Sequence, residues 1–173
     1  MTAAYRIRQG VRALFAFARP IDRALAAEYL TPPLLALFDQ MRRAEQQHSL
    51  NVLRSVLAQD QTPSDLAVAA LLHDVGKIRY PLAVWQKTVA VLVRAFLPTL
   101  FRRLSEGDPR PFWRRAFVVY VQHPAWSGDL LVQTGGSPDA VWLVTHHADD
   151  VEQWRDHALY PLLKRLQMAD DAN

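Results

Sequence analysis

Cysteine is absent from the 173 residues. No disulfide can form and no thiolate can hold a metal, which fits a reducing, cytoplasmic setting. Repeats and low-complexity tracts are also missing. Met1 to Gly10 lacks the uninterrupted apolar core and small-residue cleavage site of a signal peptide. Nor is there a run fit to cross a bilayer. Val84 to Phe101 is the nearest candidate, and Gln86, Lys87, Arg94 and Pro98 break it, whereas a spanning helix needs roughly 20 apolar residues.

What is present is a globular composition, 50% hydrophobic and 21% charged, long enough for one compact domain with its own core. The net charge of +3 is unevenly spread. Lys77 to Arg115 holds nine basic and two acidic residues, while Ala116 to Asn173 holds three basic and eight acidic. A basic segment of this kind meets phosphate, an acidic membrane surface or nucleic acid, or is a solvated helix face. No motif specific to nucleic acid accompanies it.

Almost every segment reads as helix. Ile7 to Phe17, with Arg6, Arg8, Arg12 and Arg19 around it, reads as a basic amphipathic helix within an N-terminal segment spanning 1–30. It suits a membrane surface, a partner or the domain itself. The remaining 31–173 reads as one all-α domain, with a basic helical insertion at about 80–116. A long helix is expected from Pro32 or Pro33 to about Ala58, with Leu34, Phe38, Met41, His48, Val52 and Val56 on one face. Thr62-Pro63-Ser64-Asp65 reads as a helix start, and the helix that follows ends in His73 and Asp74 with Gly76 as terminator. Val84 to about Phe96 reads as the next, with a break at Pro98, a basic turn through Arg102 and Arg103, and a loop at Glu106-Gly107-Asp108-Pro109. This insertion suits a lid, a membrane contact or dimerisation. A helix from about Phe112 carries Ala116, Val119 and His123 on one stripe and is expected to end where Pro124 begins the next. Gly135-Gly136 closes that one, Ser137-Pro138-Asp139 caps another that leads to His146-His147, and the last sets Leu159, Leu163, Leu166 and Asp170 on one face.

Five separate helical segments thus each point His or Asp inward: His48; His73 with Asp74; His123; His146 with His147; and Asp170. The chain has only 6 histidines, and His157, in a polar stretch, is expected at the surface. Burying an uncompensated charge is strongly unfavourable. Imidazole and carboxylate ligands suit divalent zinc, iron or manganese.

This order, with His73-Asp74-Val75-Gly76-Lys77 at its centre, resembles the HD-domain metal-dependent phosphohydrolases, and among them the HDIG and HD-GYP-like branch. His123-Pro124-Ala125-Trp126-Ser127-Gly128 matches that branch's His-Pro step, and Thr145-His146-His147 its paired-histidine step. The resemblance covers roughly Arg42 to Asp171 and implies an all-α helical bundle around a metal site. It departs at Ala148, where HD-GYP members have Glu, and at the missing Gly-Tyr-Pro segment. It departs again at Ala44, where trinuclear members carry Glu, with Glu45 off the expected face. These departures weigh against cyclic-di-GMP specificity and favour two metals over three.

Carried over, the resemblance implies one metal on His48, His73, Asp74 and Asp170. A second sits on His123, His146 and His147, with Asp74 bridging the two. The metals would be divalent ions of Fe, Mn, Mg, Zn or Ni. Asp74 and Lys77 are the implied catalytic residues, with Lys77 holding the phosphate of a nucleotide or other phosphate-bearing small molecule as a point charge. Arg79, Lys87 and Arg94 read as solvated. The implied reaction is phosphoester hydrolysis by a metal-activated water. Two other readings stay open, a di-iron oxygenase on the same ligand order and a non-catalytic binding module. A homodimer and peripheral membrane contact are further expectations.

Overall fold

The computed structural model describes residues 20–59 and 61–173. The expected helix over Ile7 to Phe17 lies outside them. Among the described residues every regular element is helical: α1 (Arg23–Tyr29), α2 (Pro32–Gln40), α3 (Arg43–Leu57), α4 (Ser64–Leu72), α5 (Val84–Phe96), α6 (Pro98–Ser105), α7 (Phe112–Gln133), α8 (Pro138–His146) and α9 (Tyr160–Asp171), with 3-10 turns at Val75–Arg79 and Val151–Trp154. None of these helices is long and apolar enough to cross a membrane.

Helix α4 is the axis of the bundle. Its residues Leu66 to Leu72 are all buried, as a helix apolar on every side must be. Helices α1, α2, α3, α8 and α9 pack around it. Each fully buried Leu in this core contributes about 1.5–3 kcal/mol, and Leu66, Leu71 and Leu72 are all sealed from solvent. Ala26 and Leu30 enter the same core, so the described part of 1–30 packs on the bundle. A second, smaller core of Leu82, Ala90, Phe101, Ala116, Phe117 and Val119 lies beneath α5, α6 and the first half of α7.

Several boundaries differ from the sequence reading. The long helix expected from Pro32 to Ala58 is two helices, because Met41 and Arg42 are both extended, at φ/ψ of −66°/150° and −63°/145°. No Gly or Pro marks the break. Tertiary bonds hold it, with Gln46 Nε2 donating to the Phe38 carbonyl at 2.9 Å and the Arg42 guanidinium to the Leu82 carbonyl at 2.5 Å. Thr62 does not cap α4; its hydroxyl donates to the Val56 carbonyl at 2.9 Å. Arg102 and Arg103 lie within α6 and not in a turn. The break at Pro98, the loop at Gly107 (φ 101°) and the Ser137 cap, which accepts from Ala140 N at 3.2 Å, are as expected.

Pro124 does not end a helix. It sits inside the continuous 22-residue α7. A proline there lacks the N–H that would bond the carbonyl four residues back, which is that of Tyr120. That carbonyl is met instead by the His123 ring, whose Nδ1 lies 3.0 Å away. The imino acid therefore releases an acceptor that holds its own neighbour.

Gly76 is not a left-handed terminator either. Its φ is not positive, and it lies inside the 3-10 turn that follows Asp74. What requires glycine is close approach. A Cβ there would meet the His123 carbonyl oxygen and, at 2.8 Å, the backbone nitrogen of Ser127. The fully buried Ser127 hydroxyl completes the junction, accepting from Gly76 N at 2.8 Å and reaching the carbonyls of His73 at 2.7 Å and His123 at 2.9 Å. Turn and helix are thereby locked together, with Asp74 and His123 facing each other.

Candidate metal centre

The five segments converge. His48 comes from α3, His73 and Asp74 from the end of α4, His123 from the middle of α7, His147 from the end of α8 and Asp170 from the last turn of α9. His48 Nε2 lies 2.8 Å from Asp170 Oδ1, and His73 Nε2 lies 3.6 Å from that same oxygen and 3.7 Å from Asp74 Oδ2. On the other side, Asp74 Oδ1 is 3.2 Å from His123 Nε2 and 3.9 Å from His147 Nε2. Two groups of three potential ligands result, His48–His73–Asp74 and Asp74–His123–His147, each with its ligand atoms within 4.8 Å of one another. Asp74 belongs to both, and its two oxygens are divided between them.

The hydrogen bonds around the rings decide whether a cation fits. His73 Nδ1 lies 3.1 Å from the Ala70 carbonyl, His123 Nδ1 3.0 Å from those of Val119 and Tyr120, and His147 Nδ1 2.7 Å from that of Val144. A carbonyl can only accept, so Nδ1 carries the proton in each case and a neutral ring turns a bare Nε2 lone pair inward. Metal-ligating histidines are held in the same way. His123 Nε2 and His147 Nε2 oppose each other at 3.2 Å, and in the neutral tautomers both would present lone pairs. His73 Nε2 is buried without any hydrogen-bond partner, a state that costs about 1–3 kcal/mol. One or more cations in the cluster would satisfy all of these atoms. The residues fit a metal.

The charges agree. Burial works to raise the Asp74 carboxyl, but Lys77, His73 and His123 outweigh it and hold it well below the ordinary carboxylate range. Asp170 is likewise held low against burial, by His48 and His73. Burial presses down on His73, yet Asp74 and Asp170 prevail and raise it. His147 goes the other way, pushed to about 3 by burial and by His73 and His123.

A pH dependence follows from His147. Its folded value lies below the ordinary 6.5 of an unfolded chain, so between about pH 3 and 6.5 the unfolded state binds the extra proton and stability rises with pH. His73 is raised, so its contribution has the opposite sign, but it sets in only as pH nears 6.5, where the unfolded ring loses its proton, and is small between 5 and 6. Chelated protein is therefore expected to lose up to about 1.4 kcal/mol per unit as pH falls from 6 to 5, above the range where Asp74 and Asp170 titrate. Urea midpoints of wild type and His147→Gln at those pH values check this. Equal slopes in the two proteins would contradict it.

His146, expected as a ligand of the second metal, is not brought into the cluster. Its Nδ1 pairs with Asp149 Oδ2 at 2.7 Å, and its ring packs 4.3 Å from Trp154 and 4.7 Å from Trp142. Consecutive helical residues point about 100° apart, so the end of α8 can aim one histidine inward, and it aims His147. His157 is not a bare surface residue; its ring stacks on Trp142 at 3.9 Å. Lys77 stands at the cluster, its Nζ 2.5 Å from Asp74 Oδ2. Arg79, Lys87 and Arg94 are not simply solvated. Each is engaged by the protein, Arg79 with Asp129 at 3.4 Å, Lys87 with Glu45 at 2.8 Å and Arg94 with the Tyr120 hydroxyl.

The supporting roles of three residues escaped the sequence reading, which took Gly76 only as a terminator and Ser127 only as part of a motif, and gave Gln167 no role. Ser127 and Gly76 join the turn to α7, as described above. Gln167 Nε2 on α9 donates to the carbonyls of His147 at 3.0 Å and Asp149 at 2.8 Å, fixing the end of α8. Glu45, one turn before His48, is buried, but its carboxylate is held by Lys87. No family model, curated protein or solved structure matches this chain.

Proposed function

We propose that this chain is a metal-dependent phosphohydrolase of the HD type, acting on the phosphoester of a nucleotide, a cyclic nucleotide or a similar small molecule. The observation that carries the reading is Asp74, whose two oxygens serve two separate histidine groups while Lys77 neutralises one of them. A carboxylate so shared suits a pair of divalent ions, held by His48, His73, Asp74 and Asp170 on one side and by Asp74, His123 and His147 on the other. Bound there, such a pair supplies a water of lowered pKa and neutralises charge on phosphoryl oxygens. The carbonyls at Ala70, Val119 and Val144 keep the imidazoles in the ligating tautomer. Lys77, partly exposed at the rim, is released from Asp74 once that charge is otherwise met, and its ammonium is then available to the substrate phosphate. A phosphate-bearing substrate is favoured for this reason, since an ammonium at that place matches an anionic phosphoryl oxygen.

Hydrolysis of bis(p-nitrophenyl) phosphate by manganese- or iron-loaded protein tests the reading. Turnover by wild type is expected, and Lys77→Met is expected to raise KM about tenfold or more while metal content stays unchanged. Two bound irons with oxygen consumption and no hydrolysis would make the protein an oxygenase. Failure to bind any metal would make it a binding module.

A further inference from the structure

Helix α5 is inverted for a helix packed on a core. The side turned inward carries Gln86 and Ala90, both buried. Trp85, Val89, Leu92 and Phe96, at i, i+4, i+7 and i+11, form an apolar stripe that faces out. Leu97 and Leu100 carry it around the bend into α6. Of the thirteen large hydrophobic residues left exposed in the described chain, ten lie between Val84 and Trp113. Such exposure is concentrated and not scattered, and a contiguous patch of this kind marks an interaction surface.

Charge selects the occupant. Helices α5 and α6 contain Lys87, Arg94, Arg102 and Arg103 and no acidic residue. Arg102 and Arg103 are exposed, and their guanidinium groups make no hydrogen bond or ion pair among the described residues. A second copy in a two-fold contact would set the same basic helices against each other. The chain's own 1–19 segment is no better suited, having four arginines and no acid. The partner must be anionic. The apolar residues also project, with Phe96 at the bend 76% exposed, and Trp85 packs beside Phe112 at 5.7 Å next to Trp113. Projecting aliphatic and aromatic side chains ringed by arginine suit insertion into the boundary between headgroups and acyl chains.

We propose that the α5–α6 face docks on an anionic lipid bilayer, with the Trp85–Phe96 stripe buried at the headgroup boundary and Arg102 and Arg103 on lipid phosphates. The proposal is independent of the metal chemistry. It concerns contact in the plane of the membrane, since no described helix can cross one.

Flotation of the full chain with phosphatidylcholine vesicles, with and without phosphatidylglycerol, tests it. Binding is expected only to vesicles containing phosphatidylglycerol and is expected to fall at high salt, with a blue shift of tryptophan emission. The double substitution Leu92→Glu/Phe96→Glu is expected to lower the bound fraction about tenfold or more with the circular dichroism unchanged. Should that variant not fold, Arg102→Glu/Arg103→Glu replaces it with the same expectation. Equal binding to neutral vesicles, or binding that survives the substitutions, would overturn the proposal, the latter moving the contact to another segment such as 1–19. So would a wild-type dimer in light scattering that the substitutions convert to monomer, because the face would then belong to a second copy.

Discussion

Asp74→Ala is expected to abolish metal binding and to cut phosphodiester hydrolysis by at least roughly 10³-fold, the upper range for loss of one electrostatic group. The reason is the division of its oxygens. Oδ1 lies with His123 and His147, and Oδ2 with His73 and Lys77, so one substitution removes a ligand from each group. His48→Ala should differ in kind. His48 belongs only to the side with Asp170, and its loss is expected to spare an ion held by His123 and His147. Metal analysis of the two variants after identical loading separates these outcomes. Retention of two ions by Asp74→Ala would show that the groups do not share it.

Gly76→Ala is the second large effect. The added methyl would strike the His123 carbonyl oxygen and the Ser127 backbone nitrogen, and neither can rotate away. Overpacking of this sort costs typically 1–3 kcal/mol. Relief requires the turn and α7 to separate, which pulls Asp74 from His123 and weakens metal binding by about 10–100-fold. Gly128→Ala supplies the contrast. A Cβ there would meet the Thr145 hydroxyl, a side-chain atom bonded to the Val141 carbonyl at 2.8 Å that a rotamer change can move. Its cost in thermal stability is expected to be smaller, and titration calorimetry with manganese should show affinity near that of wild type. Equal effects of the two alanines would contradict the role given to the turn.

Much of the site was legible because its residues interrupt apolar stripes. His48, His123 and Asp170 each stand where helical spacing calls for a core residue, and His73-Asp74 closes a helix with no other polar residue beyond its first turn. Periodicity gives the face of a helix but not the choice between neighbours. His146 and His147 are both near the end of α8, and only packing against Trp142 and Trp154 shows that His146 is turned aside. Pro124 misled for a related reason. The rule that proline ends a helix assumes a stranded carbonyl, whereas here the His123 ring occupies that of Tyr120. The break at Met41 and Arg42 has no local signal at all, being held by bonds to Phe38 from Gln46 and to Leu82 from Arg42. The outward turn of α5 was equally hidden, because an apolar stripe in a sequence does not say which way it points. Burial of Gln86 and Ala90 against the second core decides it.

The central claim is that Asp74 joins two groups of ligands around divalent ions. Metal content per chain, measured by elemental analysis on wild type purified without chelator and again after loading with manganese or iron, tests it most directly. Two ions per chain in wild type, falling to none in Asp74→Ala, is the predicted result. No metal in wild type after loading, despite the unpartnered His73 nitrogen and the opposed nitrogens of His123 and His147, would contradict it.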